Sequence, residues 1–187
     1  MSFFKKRGIA FLLTVCVVIA ATLVSVNVKL SKKCQSVTDG FYDGVEFNGY
    51  TQKSIASHLK NITAYADGLV TIANNYDIDT ADVENASDLL KSALAYSQQN
   101  RISNLYREYQ SLLKAVNAME DQLARADLDA RDASGVEQYI SSITGAQSAI
   151  ESAGYNESVR EFMRSYDRFP TNILGTLAGV EMPECFE

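Results

Sequence analysis

The stretch from Ile102 to Leu123 reads ISNLYREYQSLLKAVNAMEDQL, and its apolar positions decide the fold. Ile102, Leu105, Tyr109, Leu112, Val116, Met119 and Leu123 recur at steps of 3, 4, 3, 4, 3 and 4. On a helix of about 3.6 residues per turn, that alternation draws one narrow apolar seam, the pattern of coiled-coil packing. A seam must be covered, so the stretch predicts a bundle of helices.

Two further stretches supply partners. Ile55, Leu59, Ile62, Ala66, Leu69, Ala73 and Tyr76 step by 4, 3, 4, 3, 4 and 3. Ile143, Ala146, Ile150 and Ala153 step by 3, 4 and 3; the phase slips near Gly154 and resumes as Tyr155, Val159, Phe162, Tyr166 and Phe169. Such a slip rotates the apolar face. The polar run Asn74 to Thr80 offers a cap before Ala81, and Asp132-Ala133-Ser134-Gly135 offers one before Val136. Residues 80 to 130 hold neither Pro nor Gly, so they read as one helix of about 75 Å or as two divided by a hinge around Ser97-Gln98-Gln99-Asn100. Pro170 ends the last helix at Phe169, because proline disfavours helix in its predecessor. The tyrosines on these seams read as packing residues with the hydroxyl at the rim. Small residues of the third stretch, Ser141, Ser142, Ala146, Ser148, Ala149 and Ser152, allow close helix approach and leave a face where a partner helix can dock.

Upstream, residues Gly8 to Val28 carry no charge. Those 21 residues span about 31 Å as a helix, the thickness of a bilayer's hydrocarbon core. A cleaved signal shares the basic start and apolar run. This run is longer than the usual signal core, and Val28-Lys29-Leu30 lacks a small-x-small exit. Cys16 lies mid-span with no small residue directly before it, which speaks against lipid attachment. The reading is an uncleaved single-pass anchor in the cell membrane. Lys5, Lys6 and Arg7 balance Lys29, Lys32 and Lys33, and the free amino group tips the bundle to the outside.

The expected fold is therefore all-α: an N-terminal transmembrane helix followed by an elongated antiparallel three- to four-helix bundle. Residues 1–7 are a basic flank, 8–28 the membrane helix, 29–50 a membrane-proximal connector with Gly40, Gly44 and Gly49, 51–170 the bundle and 171–187 a tail. The tail is expected to hold a short helix near Ile173 to Leu177. Phe169, Pro170 and Phe186 are expected to lock it onto the bundle.

The net charge is −6, with basic clusters flanking the apolar run, so the bundle is more acidic still. Nucleic acid is thereby excluded as a partner, since phosphates demand basic patches. Cys34 and Cys185 bracket the domain without a ligand spacing; they read as free thiols or as a pair if the tail returns to the membrane-proximal end. His58 is the only histidine, so neither a catalytic triad nor a histidine-based metal site is predicted. The acidic run Asp77, Asp79, Asp82, Glu84 lacks the glycine and distal glutamate of a calcium loop and reads as helix capping. No catalytic, cofactor-binding or metal residues are predicted.

At the C-terminal end, Tyr155-Asn156-x-x-Val159, then Tyr166-Asp167, Phe169-Pro170-x-Asn172, Gly179-Val180, Pro183 and Phe186-Glu187 resemble the closing signature of the LemA family. The match covers about 33 residues in conserved order and spacing. Asp67-Gly68-Leu69-Val70 is a weaker echo of that family's Pro-Asn-Leu-Val. The chain departs from the pattern in having Tyr166-Asp167 where the family has a second Tyr-Asn, Glu151-Ser152-Ala153-Gly154 where it has basic residues before the first, and Thr63-Ala64-Tyr65-Ala66 in place of an arginine-rich stretch. The resemblance implies the same layout of anchor and bundle, with Tyr155, Asn156, Val159, Phe169, Pro170, Asn172, Pro183 and Phe186 as signature residues, and supplies no catalytic group. The resulting functional expectation is a non-catalytic protein-interaction or scaffold role at the cell envelope, with membrane lipid and a protein as partners. The alternative is an extracytoplasmic ligand-sensing bundle that acts with a separate signalling partner.

Overall fold

The structure is a computed structural model that describes the backbone of residues 2–47, 50–96 and 101–187. Among the described residues the chain is mostly helical, with one small hairpin, and it forms two compact units: Met1–Thr38 with Glu157–Pro183, and Asp39–Asn156 with Glu184–Glu187.

Helix α1 spans Ser2–Tyr42. Its apolar part is long enough to cross a membrane, and none of that part is buried within the chain. Both threonine hydroxyls there are satisfied by the helix itself: Thr14 donates to the Ala10 carbonyl at 3.0 Å and Thr22 to Val18 at 2.8 Å. A hydroxyl bonded to its own backbone carries no demand for water.

The helix does not stop at the end of the apolar run. The stretch expected as a connector is helical to Tyr42, turns at Gly44 (φ 84°) and enters an antiparallel hairpin, β1 (Val45–Phe47) and β2 (Tyr50–Gln52), with Val45 opposite Gln52. Gly44 suits that turn because a left-handed φ costs glycine nothing. Gly49 lies outside the described residues. The reason for the extension is a second seam. Leu23, Asn27, Leu30, Cys34 and Val37 are half-buried and recur at steps of 4, 3, 4 and 3.

That seam belongs to the first unit, with α6 (Tyr155–Tyr166) and α7 (Thr171–Leu177). Lys33 Nζ donates to Ser165 Oγ at 3.4 Å and stands 6.0 Å from the Phe162 ring centre. Asn27 Nδ2 donates to the Ala178 carbonyl at 2.6 Å. Gly175 is buried under Tyr166, and a Cβ there would run into the ring.

The second unit holds α2 (Ile55–Ala73), a 3₁₀ turn (Asn74–Tyr76), α3 (Ala81–Ala95), α4 (Ile102–Leu123) and α5 (Ala130–Ser152). Helix α2 packs against α3, α4 and α5, and α3 packs against α4. All seven seam residues of α4 are buried, as are Ile55, Leu59, Ile62, Ala66, Leu69 and Ala73 of α2. Residues 80–130 thus form two helices; the hinge at Ser97–Asn100 itself lies outside the described residues. The phase slip at Gly154 is a break between α5 and α6, with Gly154 at φ 67°.

Caps explain the starts. The Ser54 hydroxyl accepts from the Ser57 N–H at 3.1 Å and begins α2. Helix α5 starts earlier than its sequence suggests. Asp129 is the cap, accepting from the Asp132 N–H at 2.8 Å, and Asp132–Gly135 are already helical. The Tyr76 hydroxyl secures that corner, donating to Asp132 Oδ2 at 3.0 Å and accepting from the Asp129 N–H at 3.1 Å.

Two neighbours in α2 fix how it meets the other helices. Asp67 accepts from buried Ser87 Oγ and from Lys91 Nζ, both at 2.9 Å, tying α2 to α3. Partial burial lowers the Lys91 pKa, but the bonds to Asp67 and Asp88 outweigh it and leave the ammonium raised. Gly68 lies against Tyr139 of α5, so closely that a Cβ would meet the ring carbons at 2.5–2.8 Å. Gly68→Ala is therefore expected to push α5 away and cost about 1–3 kcal/mol, overpacking outweighing the helix propensity of alanine. A urea melt checks it; a stabilised variant would show that Tyr139 simply swings aside.

Candidate functional site

The most elaborate cluster of polar and aromatic contacts in the second unit gathers around the C-terminal residues. Phe186 is 5 % exposed, its ring centre 5.3 Å from Phe41, 5.1 Å from Tyr106 and 5.6 Å from Tyr109. Tyr155 packs edge-on to Phe41 at 5.3 Å and completes the socket. Edge-to-face and tilted pairs at such separations add to the plain burial of the rings. Burial pushes the Tyr109 phenol above its ordinary pKa; a bond with Gln147 lowers it, and Glu151 and Tyr106 raise it further.

The backbone of the same residue is clamped. The Phe186 N–H donates to Asn156 Oδ1 at 2.7 Å, and Asn156 Nδ2 donates to the Phe186 carbonyl at 3.0 Å. One primary amide thus satisfies both the donor and the acceptor of one residue, using a separate atom for each. The Tyr155 hydroxyl donates to the Glu184 carbonyl at 2.8 Å.

Glu184 reaches the start of α4. That helix has Arg101 in the cap position, with no side-chain bond of its own. Glu184 Oε2 accepts from the Ser103 N–H at 3.2 Å and the Ser103 hydroxyl at 2.8 Å; Oε1 stands 3.5 Å from Arg101 Nε. The tail therefore supplies the missing cap, and a carboxylate at a helix N-terminus is favoured by the helix dipole. Glu184→Ala is expected to cost about 1 kcal/mol, with Gln recovering part of it. Exchange of the Ser103 amide hydrogen should quicken; an unchanged rate would refute the cap.

The signature residues separate into these surroundings. Tyr155, Asn156 and Phe186 form the clasp just described. In the first unit, Val159 is fully buried on α6 and Pro183 is buried. Asn172 lies in the first turn of α7, its side chain accepting from the Ile173 N–H at 2.8 Å. Pro170 is exposed, and Phe169 is 81 % exposed, so Phe169 does not pack the tail as expected. It falls beyond α6, where the seam no longer applies. The clasp residues without a sequence signal are Phe41, hidden in a supposed connector, and Glu184, whose partner is distant in sequence.

Ionisable groups elsewhere act locally. Asp77 sits at φ 54° after the 3₁₀ turn, Asp79 accepts from the Ala81 N–H at 3.0 Å, and Glu84 accepts from the Thr80 hydroxyl at 2.9 Å. His58 is half-buried on α2, and its pKa is lowered by burial and by Lys53. Cys34 is a free thiol. Among the described residues no three His, Cys, Asp or Glu side chains converge as a metal site would require. Chemically, the clasp holds the chain's own C-terminal residues: an aromatic socket for Phe186, an amide for its backbone and a helix N-terminus for Glu184. No protein-family model, no curated protein and no solved structure matches the chain.

Proposed function

We propose that the chain is a LemA-like single-pass membrane protein whose bundle serves as a non-catalytic interaction or scaffold module at the cell envelope. The observation that carries the reading is where the acids of the bundle are used. Asp67, Glu84, Asp129 and Glu184 each hold a neighbouring donor in a helix-to-helix bond or a cap, rather than converging on a shared space. Side chains placed so stiffen the bundle, which suits a surface that other proteins bind. The exposed apolar surface of α1 supports the membrane anchor, since a bilayer is the solvent it suits. The resemblance to the LemA family gains from the clasp, because Tyr155, Asn156 and Phe186 serve one purpose together.

Cross-linking in cells, then recovery of the tagged full chain from solubilised membranes, tests the role. The expected result is one protein recovered repeatedly; recovery of none overturns it. A cysteine introduced at exposed Ser148 reports the side. Labelling by an impermeant maleimide above that of the parent chain in intact cells places the bundle outside, and labelling only after lysis places it inside.

A further inference from the structure

Helix α7 presents an apolar face that the chain leaves uncovered. Ile173 is 52 % and Leu177 68 % exposed, one turn apart, and Phe169, in the turn that precedes the helix, is 81 % exposed. The opposite side of α7 is fixed, with Gly175 buried under Tyr166. Its C-terminal end is fixed too, by the bond from Asn27 to the Ala178 carbonyl. Asn27 is the next-to-last residue of the charge-free run, so Leu177 and Ala178 lie at the height where that run ends. Lys33, bonded to Ser165 of α6, lies roughly 9 Å further along α1 by helical rise. Between those two ties the chain descends along α1 towards its apolar part. Val24 and Val28, on either side of Asn27 in α1, are exposed as well, and so are Lys29 and Lys32 of α1 and Arg168 just before α7.

We infer that α7 is a membrane-contact helix, laying Phe169, Ile173 and Leu177 into the interfacial zone of the bilayer that holds α1. The inference rests on the anchor reading above. The apolar face is continuous in height with the exposed surface of α1, and interfacial helices bury their apolar face about 5–10 Å into the headgroup boundary. Exposed Lys29, Lys32 and Arg168 suit lipid phosphates, since such side chains can bury their stems in an interface while the charges stay wet. Asp167 and Glu181 are exposed nearby and limit the attraction to anionic lipid, so apolar burial is the larger contribution.

The chain contains no tryptophan, which gives each introduced one an unmixed signal. The full chain, reconstituted in phosphatidylcholine–phosphatidylglycerol vesicles with shallow brominated lipid, is compared in four single variants: Ile173→Trp, Leu177→Trp, Val17→Trp within the apolar run, and Glu161→Trp on the exposed side of α6. The expected result is blue-shifted, strongly quenched emission at 173 and 177, lipid-shielded emission at 17, and red, unquenched emission at 161. Red, unquenched emission at 173 and 177 with position 17 shielded overturns the inference and leaves the anchor standing. Water-exposed emission at 17 overturns the anchor and the inference with it. Quenching at all four positions overturns the specific role of α7.

Discussion

Phe186→Ala is expected to destabilise the bundle unit by about 3–5 kcal/mol, the range for emptying a buried phenylalanine site. The ring touches Phe41, Tyr106 and Tyr109, which belong to α1 and α4, so the remaining side chains cannot close the gap without moving two helices. In thermal melts the loss should lower Tm by ~10 °C or more. Protease cleavage after Glu181 or Glu184 should appear at the same time. Unchanged melting and cleavage would mean that the tail is a free peptide and that the socket holds its shape without it.

Asn156→Ala carries the second largest expected effect, about 2–4 kcal/mol. It strands both the N–H and the carbonyl of Phe186, at about 1–3 kcal/mol for each buried group left without a partner. Asn156→Asp separates the two halves of the bond, because a carboxylate still accepts from the N–H but faces the carbonyl without a donor. It should lie between wild type and Ala. Both residues serve one docked segment, so the loss in the Asn156→Ala, Phe186→Ala double variant should fall short of the two single losses combined. Additivity in chemical denaturation would show that ring and clamp are independent.

Much of the fold is legible because it repeats. The seam of α4 is complete in sequence and complete in the structure, and the seam of α2 fails only at Tyr76, where the chain has tightened into a 3₁₀ turn. The extension of α1 is not legible. Its seam there consists of Leu30, Cys34 and Val37 among Lys, Ser, Gln and Asp, too thin to rise above a polar background, and Gly40 argues for a break. The start of α5 is misread for a related reason: Asp129 and Asp132 are both plausible caps, and the choice is made by Tyr76, more than fifty residues away. The clasp has no period. Resemblance marks Tyr155, Asn156 and Phe186, but nothing local joins Glu184 to Ser103 or Phe41 to Phe186. Phe169 shows the limit of extending a pattern, since one more step of the seam points to a residue that has left the helix.

The cap on α4 has a kinetic consequence. Helix pairs adjacent in sequence, such as α2 with α3 and α3 with α4, close short loops and can collapse early. The cap joins residues 81 apart, which makes it a late event on the route to the native state. Interactions absent from the transition state act on escape from the native basin rather than on entry to it. Weakening the clasp should therefore steepen neither limb of a chevron but lift its unfolding arm, leaving refolding nearly as fast. The tail then governs how long the bundle persists once formed more than how quickly it forms.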